Sequence, residues 1–251
     1  MDYDRETVSA ICHGSLPFHN PIDPHRLDAL LAPFGLGPDD RVLDLGCGPG
    51  ELLVRLAERT GAGGVGIDLA GGLIAEARRR AAERAPDAAL EFLEADAGAV
   101  DLPAHGFTVT ACIGSTHAAG GLDAVLARMA ALTRSGGWIV VGDGYWRRPP
   151  GQAYLDVLGA TADELPDYPG LMRAGEPHGL VAVDAVATTE EEWDRYEWGN
   201  QRRGDAHVRA HAGEPGVERL QAWVDAARDR YLSEGGRETL GFALVLLRTA
   251  G

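Results

Sequence analysis

Apolar positions along the chain fall into short runs separated by stretches with helical spacing. The runs at 41–45, 64–68, 90–95, 107–113 and 138–142 read as strands. Between them, 50–60, 71–85 and 121–134 read as helices. The second of these carries Leu73, Ile74 and Ala77 on one face and stops near Pro86. Strands that alternate with helices pair in parallel through right-handed crossovers. A doubly wound, mostly parallel α/β sheet is therefore expected from residue 41 onward.

The flanks read differently. Residues 3–11 have the pattern of a short helix, and 16–22 form a proline-containing loop. Residues 24–34 place Leu27, Leu30 and Leu31 on one helical face, with Gly35 and Gly37 as stops. Beyond the fifth strand, 144–178 is rich in Pro, Gly and aromatic residues, with one helix expected at 151–164. It reads as an insertion over the ligand edge of the sheet. Residues 180–187 alternate like a strand, 190–203 and 216–233 read as helices, and 239–247 is a strongly apolar strand. Strands 180–187 and 239–247 would close the sheet as an antiparallel pair.

Composition narrows the chemistry. The 251 residues fit one domain with an appended subdomain. A net charge of −15 argues against nucleic acid and against an anionic membrane, which both call for a basic surface. All 23 basic residues are arginine, which excludes a Schiff-base lysine, a P-loop lysine and a Tyr-x-x-x-Lys dehydrogenase. Cys12, Cys47 and Cys112 are too scattered for a disulfide framework or a zinc site, and no ligand cluster points to another metal. The polar N-terminus and the lack of a long apolar run favour a cytoplasmic protein.

The densest chemical signal is Gly46-Cys47-Gly48-Pro49-Gly50, directly after the first strand and before a helix. Such a turn lets the backbone approach a ligand, and the helix start offers free N–H groups. The dinucleotide fingerprint would need glycine at position 51, where this chain has Glu51. An acid aimed at a pyrophosphate would repel it, so a nucleoside cofactor without phosphates is the better match. Asp68 ends the second strand 20 residues after Gly48, where a carboxylate can accept both ribose hydroxyls or cap the next helix. Asp96 follows the third strand and can accept from an adenine amine, with Ala97 offering a backbone donor, or serve as a turn aspartate. His117 leaves the fourth strand and suits a general base, or a histidine capping the next helix. His13 and His19 are rivals for the base. Tyr145 and Trp146 follow the fifth strand, where aromatic faces suit a sulfonium or an apolar acceptor, or pack as core.

Taken together, these motifs resemble the class I S-adenosylmethionine-dependent methyltransferases over about residues 40–145. The glycine turn, Asp68, Asp96 and Arg134-Ser135-Gly136-Gly137 before the fifth strand stand in that family's order. Outside the core the chain most closely resembles an uncharacterised bacterial subgroup. The shared segments are His19-Asn20-Pro21, Gly144-Tyr145-Trp146 and Glu192-Trp193-Asp194-Arg195-Tyr196.

The resemblance implies a Rossmann-like sheet of seven strands with an antiparallel last strand. It also implies a helical lid over residues 1–40 ahead of a domain spanning 41–251. Gly46, Gly48 and Gly50, with Cys47 among them, would pass beneath the methionine of S-adenosylmethionine. Asp68 would hold the ribose and Leu69 would pack on adenine. Asp96 and Ala97 would hold the adenine edge, and Ile113 and Gly114 would lie where the methyl is presented. Asp44 would support the turn and the cofactor's ammonium. His117, Tyr145, His19 and His13 are the catalytic candidates, and His117, Tyr145 and Trp146 the acceptor contacts. The expected partner is a small-molecule acceptor with an O, N, S or C nucleophile, in a monomer or homodimer. The readings to weigh against this are an NAD-dependent oxidoreductase and a protein that binds S-adenosylmethionine for other chemistry or for none.

Overall fold

A computed structural model describes residues 3–14, 16–232 and 235–249. Among these, seven strands form one sheet: β1 (Arg41–Leu45), β2 (Gly63–Asp68), β3 (Leu90–Glu94), β4 (Phe107–Ile113), β5 (Thr133–Trp146), β6 (Leu180–Ala187) and β7 (Leu240–Thr249). Their order is β3-β2-β1-β4-β5-β7-β6. The pairs β1–β2, β1–β4, β2–β3 and β4–β5 are parallel, and β6–β7 is antiparallel. The helices are α1 (Arg5–His13), α2 (Pro24–Leu31), α3 (Glu51–Thr60), α4 (Gly71–Arg84), α5 (Leu122–Leu132), α6 (Gln152–Leu158), α7 (Tyr168–Arg173), α8 (Glu190–Ala210), α9 (Val217–Leu232) and α10 (Gly236–Thr239). This is the seven-stranded α/β sheet with an antiparallel end that the pattern implies.

Several expected bounds move, each for a local reason. The helix expected at 24–34 gives way to a 3₁₀ turn at Ala32–Phe34, where Pro33 removes an amide donor. The helix expected at 151–164 stops at Leu158 because Gly159 takes a left-handed φ of 66°. Residues 134–137 do not separate a helix from a strand but lie inside β5. The register shifts there, from Phe107 opposite Thr133 to Val109 opposite Trp138. The strand also runs on to Trp146, so Tyr145 and Trp146 belong to β5 rather than following it. Helix α8 is longer than expected, reaching Ala210 from a capping box in which Thr189 and Glu192 satisfy each other's backbone N–H groups.

Chain contacts define two compact units. One comprises Pro24–Gly144, Tyr168–Ala187 and Phe242–Gly251 and contains most of the sheet. Val42, Leu43, Leu45, Ile67, Phe107, Val109, Ile139 and Val140 are buried in it, as parallel strands covered on both faces require. The other comprises Met1–Asp23, Tyr145–Asp167 and Thr188–Gly241 and is mainly helical. In it α8 packs on α1 and α9, and Tyr3, Val8, Cys12, Leu220 and Val224 form a core cluster. No helix of the described residues is long and apolar enough to cross a membrane.

Candidate active site

The sheet unit builds a cradle at the C-terminal end of β1. The N–H groups of Gly46 and Cys47 both donate to the carbonyl of Ile67, at 2.8 and 2.9 Å, which ties the turn to the end of β2. Two glycines in it do different jobs. A Cβ on Gly46 (φ 74°) would sit 2.2 Å from Cβ of Ser115, so this position admits the chain leaving β4. A Cβ on Gly48 (φ 52°) would meet nothing within 4 Å, so its bare Cα borders open space. That opening is where the backbone offers room to a ligand.

Asp68 borders the same opening. Its Oδ2 accepts from Gly48 N at 2.9 Å and its Oδ1 from Ala70 N at 2.9 Å. Ala70 is the N-cap of α4, so Asp68 shapes the turn ahead of the helix and does not cap it. A carboxylate oxygen has two lone pairs, so both oxygens keep one for a vicinal diol. Leu69 beside it is 62% exposed, an apolar side chain standing free at the end of β2. Asp96 is exposed and accepts from Gly98 N at 2.8 Å, the turn aspartate weighed above, while Ala97 is buried.

Asp44 is buried beneath the turn. Burial, helped by the charge of Asp68, pushes its carboxyl up to about 7. Burial also raises the thiols of Cys47 and Cys112, which keeps them protonated and unreactive.

One expectation needs correcting. Glu51 does not point at the ligand opening. It is buried and ion-paired to Arg84 (2.6 Å), Arg80 (3.2 Å) and Arg55 (3.3 Å), so it joins α3 to α4. Its charge is neutralised, and repulsion of a pyrophosphate is not what it contributes. It still occupies the place where the dinucleotide fingerprint requires a glycine.

The chain leaving β4 closes the other side of the cradle. Ile113 is buried, and Gly114 N donates to the carbonyl of Gly142 on β5 at 2.8 Å. Ser115 Oγ donates to the carbonyl of Gly46 at 3.4 Å. Thr116 Oγ1 donates to Oδ2 of Asp143 at 2.7 Å, and Gly144 N donates to Oδ1 at 2.7 Å. His117 follows on an exposed 3₁₀ turn. Asp143 escaped the sequence reading. Its one signal is an acid closing the apolar run of β5, as Asp68 closes β2. Burial raises its carboxyl, opposed by the bonds from Thr116 and Gly144 and by His117.

The remaining candidates lie in the helical unit. His13 Nε2 lies 2.8 Å from the Tyr196 hydroxyl, which itself donates to the carbonyl of His19 at 2.9 Å. His13 Nδ1 meets Ser9 at 2.9–3.0 Å, so both of its nitrogens are engaged. The His13 and His19 rings stack at 4.3 Å, and burial lowers the pKa of His13. Tyr145 is buried against Gly241, where an added Cβ would come within 2.4 Å of its ring. Trp146 packs in a core cluster with Tyr154 and Leu155, and its indole N–H donates to the carbonyl of Ala162 at 2.9 Å. It takes the core-packing alternative.

An open turn after β1, an acid after β2 bonded to that turn and an exposed apolar side chain beside it, in a sheet ending in an antiparallel pair, define a doubly wound α/β protein with a cradle at the end of β1. A family model described as a methyltransferase domain matches residues 42–137. The chain is 32% identical to the Escherichia coli protein YjhP over 253 residues, covering 98% of this chain and 99% of that one. It is similar to a solved S-adenosylmethionine-dependent methyltransferase from Geobacter sulfurreducens in complex with S-adenosylhomocysteine. There the TM-score is 0.88 and the identity 30%, covering 99% of both chains. A second methyltransferase complex with S-adenosylhomocysteine, from Thiobacillus denitrificans, gives a TM-score of 0.86 at 30% identity over the whole of both chains. The chain belongs to the class I S-adenosylmethionine-dependent methyltransferases, and S-adenosylmethionine is its cofactor.

Proposed function

We propose that the chain transfers a methyl group to a nucleophilic O, N, S or C atom of a small molecule, with His117 as the general base when that atom carries a proton. The observation that carries this reading is the position of His117. It is exposed on the turn that begins one residue after Ser115, the side chain set against Gly46 of the cradle. An imidazole there can accept a proton from a bound acceptor. Asp143 lies close enough to interact electrostatically with it. The paired nitrogens of His13 speak for His117 over that rival.

S-adenosylmethionine supplies a methyl group on a positive sulfur. The chain's own residues bind, align and exclude water. In this reading Gly46, Cys47, Gly48 and Gly50 hold the methionine end, and Asp44 beneath them faces its ammonium. Asp68 takes the ribose hydroxyls, Leu69 covers the adenine face, and Asp96 with Ala97 takes its edge. Ile113 and Gly114 border the transferred methyl. The net charge of −15 favours a small acceptor over a nucleic acid.

The test is a screen of small phenols, amines, thiols and carboxylic acids for production of S-adenosylhomocysteine, followed by His117→Ala with the best acceptor. Turnover should fall by about 10²–10⁴, with affinity for S-adenosylhomocysteine kept within about twofold. Unchanged turnover would remove His117 from the role. Cofactor binding without transfer to any acceptor would favour the non-catalytic alternative.

A further inference from the structure

We infer that Asp143 is a positioning residue for the cofactor: through Thr116 it latches the chain leaving β4 so that Ser115 closes the glycine turn around the methionine end of the ligand. The inference rests on the reading above that this turn holds the methionine.

The connection is short and continuous. Asp143 lies near the end of β5, with its Oδ1 fixed by Gly144 N at 2.7 Å. Its Oδ2 accepts the hydroxyl of Thr116 at 2.7 Å. Thr116 is buried, so this hydroxyl has little water to turn to if the acid is removed. Ser115, the next residue back, stands against Gly46 so closely that a Cβ there would be 2.2 Å from its own. Gly114 is held to β5 by its N–H on the Gly142 carbonyl at 2.8 Å. The segment 114–116 is thus anchored to β5 at both ends, by a backbone bond at Gly114 and by a side-chain bond at Thr116. Only the second can be cut by substitution without touching the sheet.

Other arrangements would secure a turn at lower cost. Burial penalises the ionised carboxyl of Asp143, and a neutral acceptor would avoid that penalty but hold the hydroxyl less tightly. A charged acceptor gives a stronger and shorter bond than a neutral one, which suits a side chain that has to hold a turn in one place. Loosening the latch should therefore cost ligand affinity at the methionine end and leave the adenosine end, held by β2 and β3, untouched.

The experiment is calorimetric titration of the full chain with two ligands, S-adenosylhomocysteine and adenosine. Asp143→Asn and Thr116→Val should each weaken S-adenosylhomocysteine by about tenfold. Thr116→Ser keeps the hydroxyl and should stay within about twofold of the parent. Adenosine affinity should be the same in all three variants. The latch is overturned if Asp143→Asn binds S-adenosylhomocysteine like the parent, or if adenosine loses as much as S-adenosylhomocysteine, which is what a general loosening of the fold would produce. Gly48→Ala separates this from the underlying reading, because its methyl would enter open space in the cradle. If Gly48→Ala leaves S-adenosylhomocysteine affinity intact, the methionine assignment falls and the latch with it. If it weakens binding while Asp143→Asn and Thr116→Val do not, the latch alone falls.

Discussion

A side-chain network in the helical unit and the β1–β2 edge of the sheet unit use their polar groups in opposite ways. In the network, polar groups satisfy one another. Asp194 accepts from Tyr231 at 2.6 Å and from two nitrogens of Arg237 at 2.8 Å, and its carboxyl is held down to about 2. Arg203 bonds Asn200 and the carbonyl of Cys12, and Tyr196 joins His13 to His19. In the sheet unit, the end of β1 and β2 leaves capacity unspent. Asp68 retains a lone pair on each oxygen, Leu69 stands exposed, and Gly48 borders a gap. Groups that satisfy one another stabilise a fold, whereas groups left with spare capacity around an opening are suited to a ligand. The contrast supports the proposed cofactor site on the chain's own geometry.

Each unit also contains a carboxyl that burial drives up to about 7, Asp44 in the sheet unit and Glu197 in the helical unit. They offer the sharpest way to compare the two.

The largest expected effect tests whether Glu51 is structural. Glu51→Ala removes the buried acid that Arg80, Arg84 and Arg55 share, leaving them only Glu76, Glu58 and Asp28, and should destabilise the protein by about 3 kcal/mol in denaturant titration. A loss below about 1 kcal/mol would mean that the network contributes only as surface pairs do.

Next comes Asp68→Ala, which removes the proposed ribose partner and an anchor of the turn. Affinity for S-adenosylhomocysteine should fall at least about a hundredfold by calorimetry. Wild-type affinity would end the ribose assignment.

A smaller effect is expected from Asp44. Its ionised form is disfavoured in the folded protein, so ionisation subtracts stability as pH rises from about 4 towards 7. If Asp44 faces the ligand's ammonium, binding favours the ionised form. Affinity for S-adenosylhomocysteine should then drop about tenfold as pH is lowered from 8 to 6, with proton release on binding near pH 7. Asp44→Asn should remove that dependence.

The smallest effect belongs to Glu197. Its carboxyl is also raised, so Glu197→Gln should stabilise the protein above pH 7, by about 1 kcal/mol given the partial solvent contact of the side chain, and have no effect below about pH 4. Ligand affinity should not change. A change as large as that expected for Asp44 would erase the distinction between the units.

The two units were also unequally legible in the sequence. Strands β1 and β4 coincide with their apolar runs, because a buried parallel strand has few ways to be written, and the antiparallel edge strand β6 coincides with its alternating run. The proposed cofactor residues were readable for the same reason: the glycine turn, the acid closing β2 and the acid following β3 sit at places the strand pattern defines. Glu51 was read from its position alone. Its partners Arg80 and Arg84 lie some 30 residues on, and spacing along a chain does not show which helices face each other. Asp143 was overlooked because its meaning depends on Thr116, brought beside it by the β4–β5 pairing. In the helical unit, the engagement of His13 with Tyr196 spans 183 residues and has no local signature.

The placing of β7 bears on how the chain folds as it is made. It lies between β5 and β6 in the sheet, yet it comes last in sequence among the seven described strands. Strand β6 therefore leaves the ribosome with no neighbour to pair with, and waits through α8, α9 and α10 before its partner exists. During that interval the open edges of β5 and β6 are both exposed to other nascent chains, and such delayed long-range pairing is slow and prone to aggregation. Synthesis of the final strand, rather than of the cofactor cradle near the start, is the step at which the sheet becomes whole.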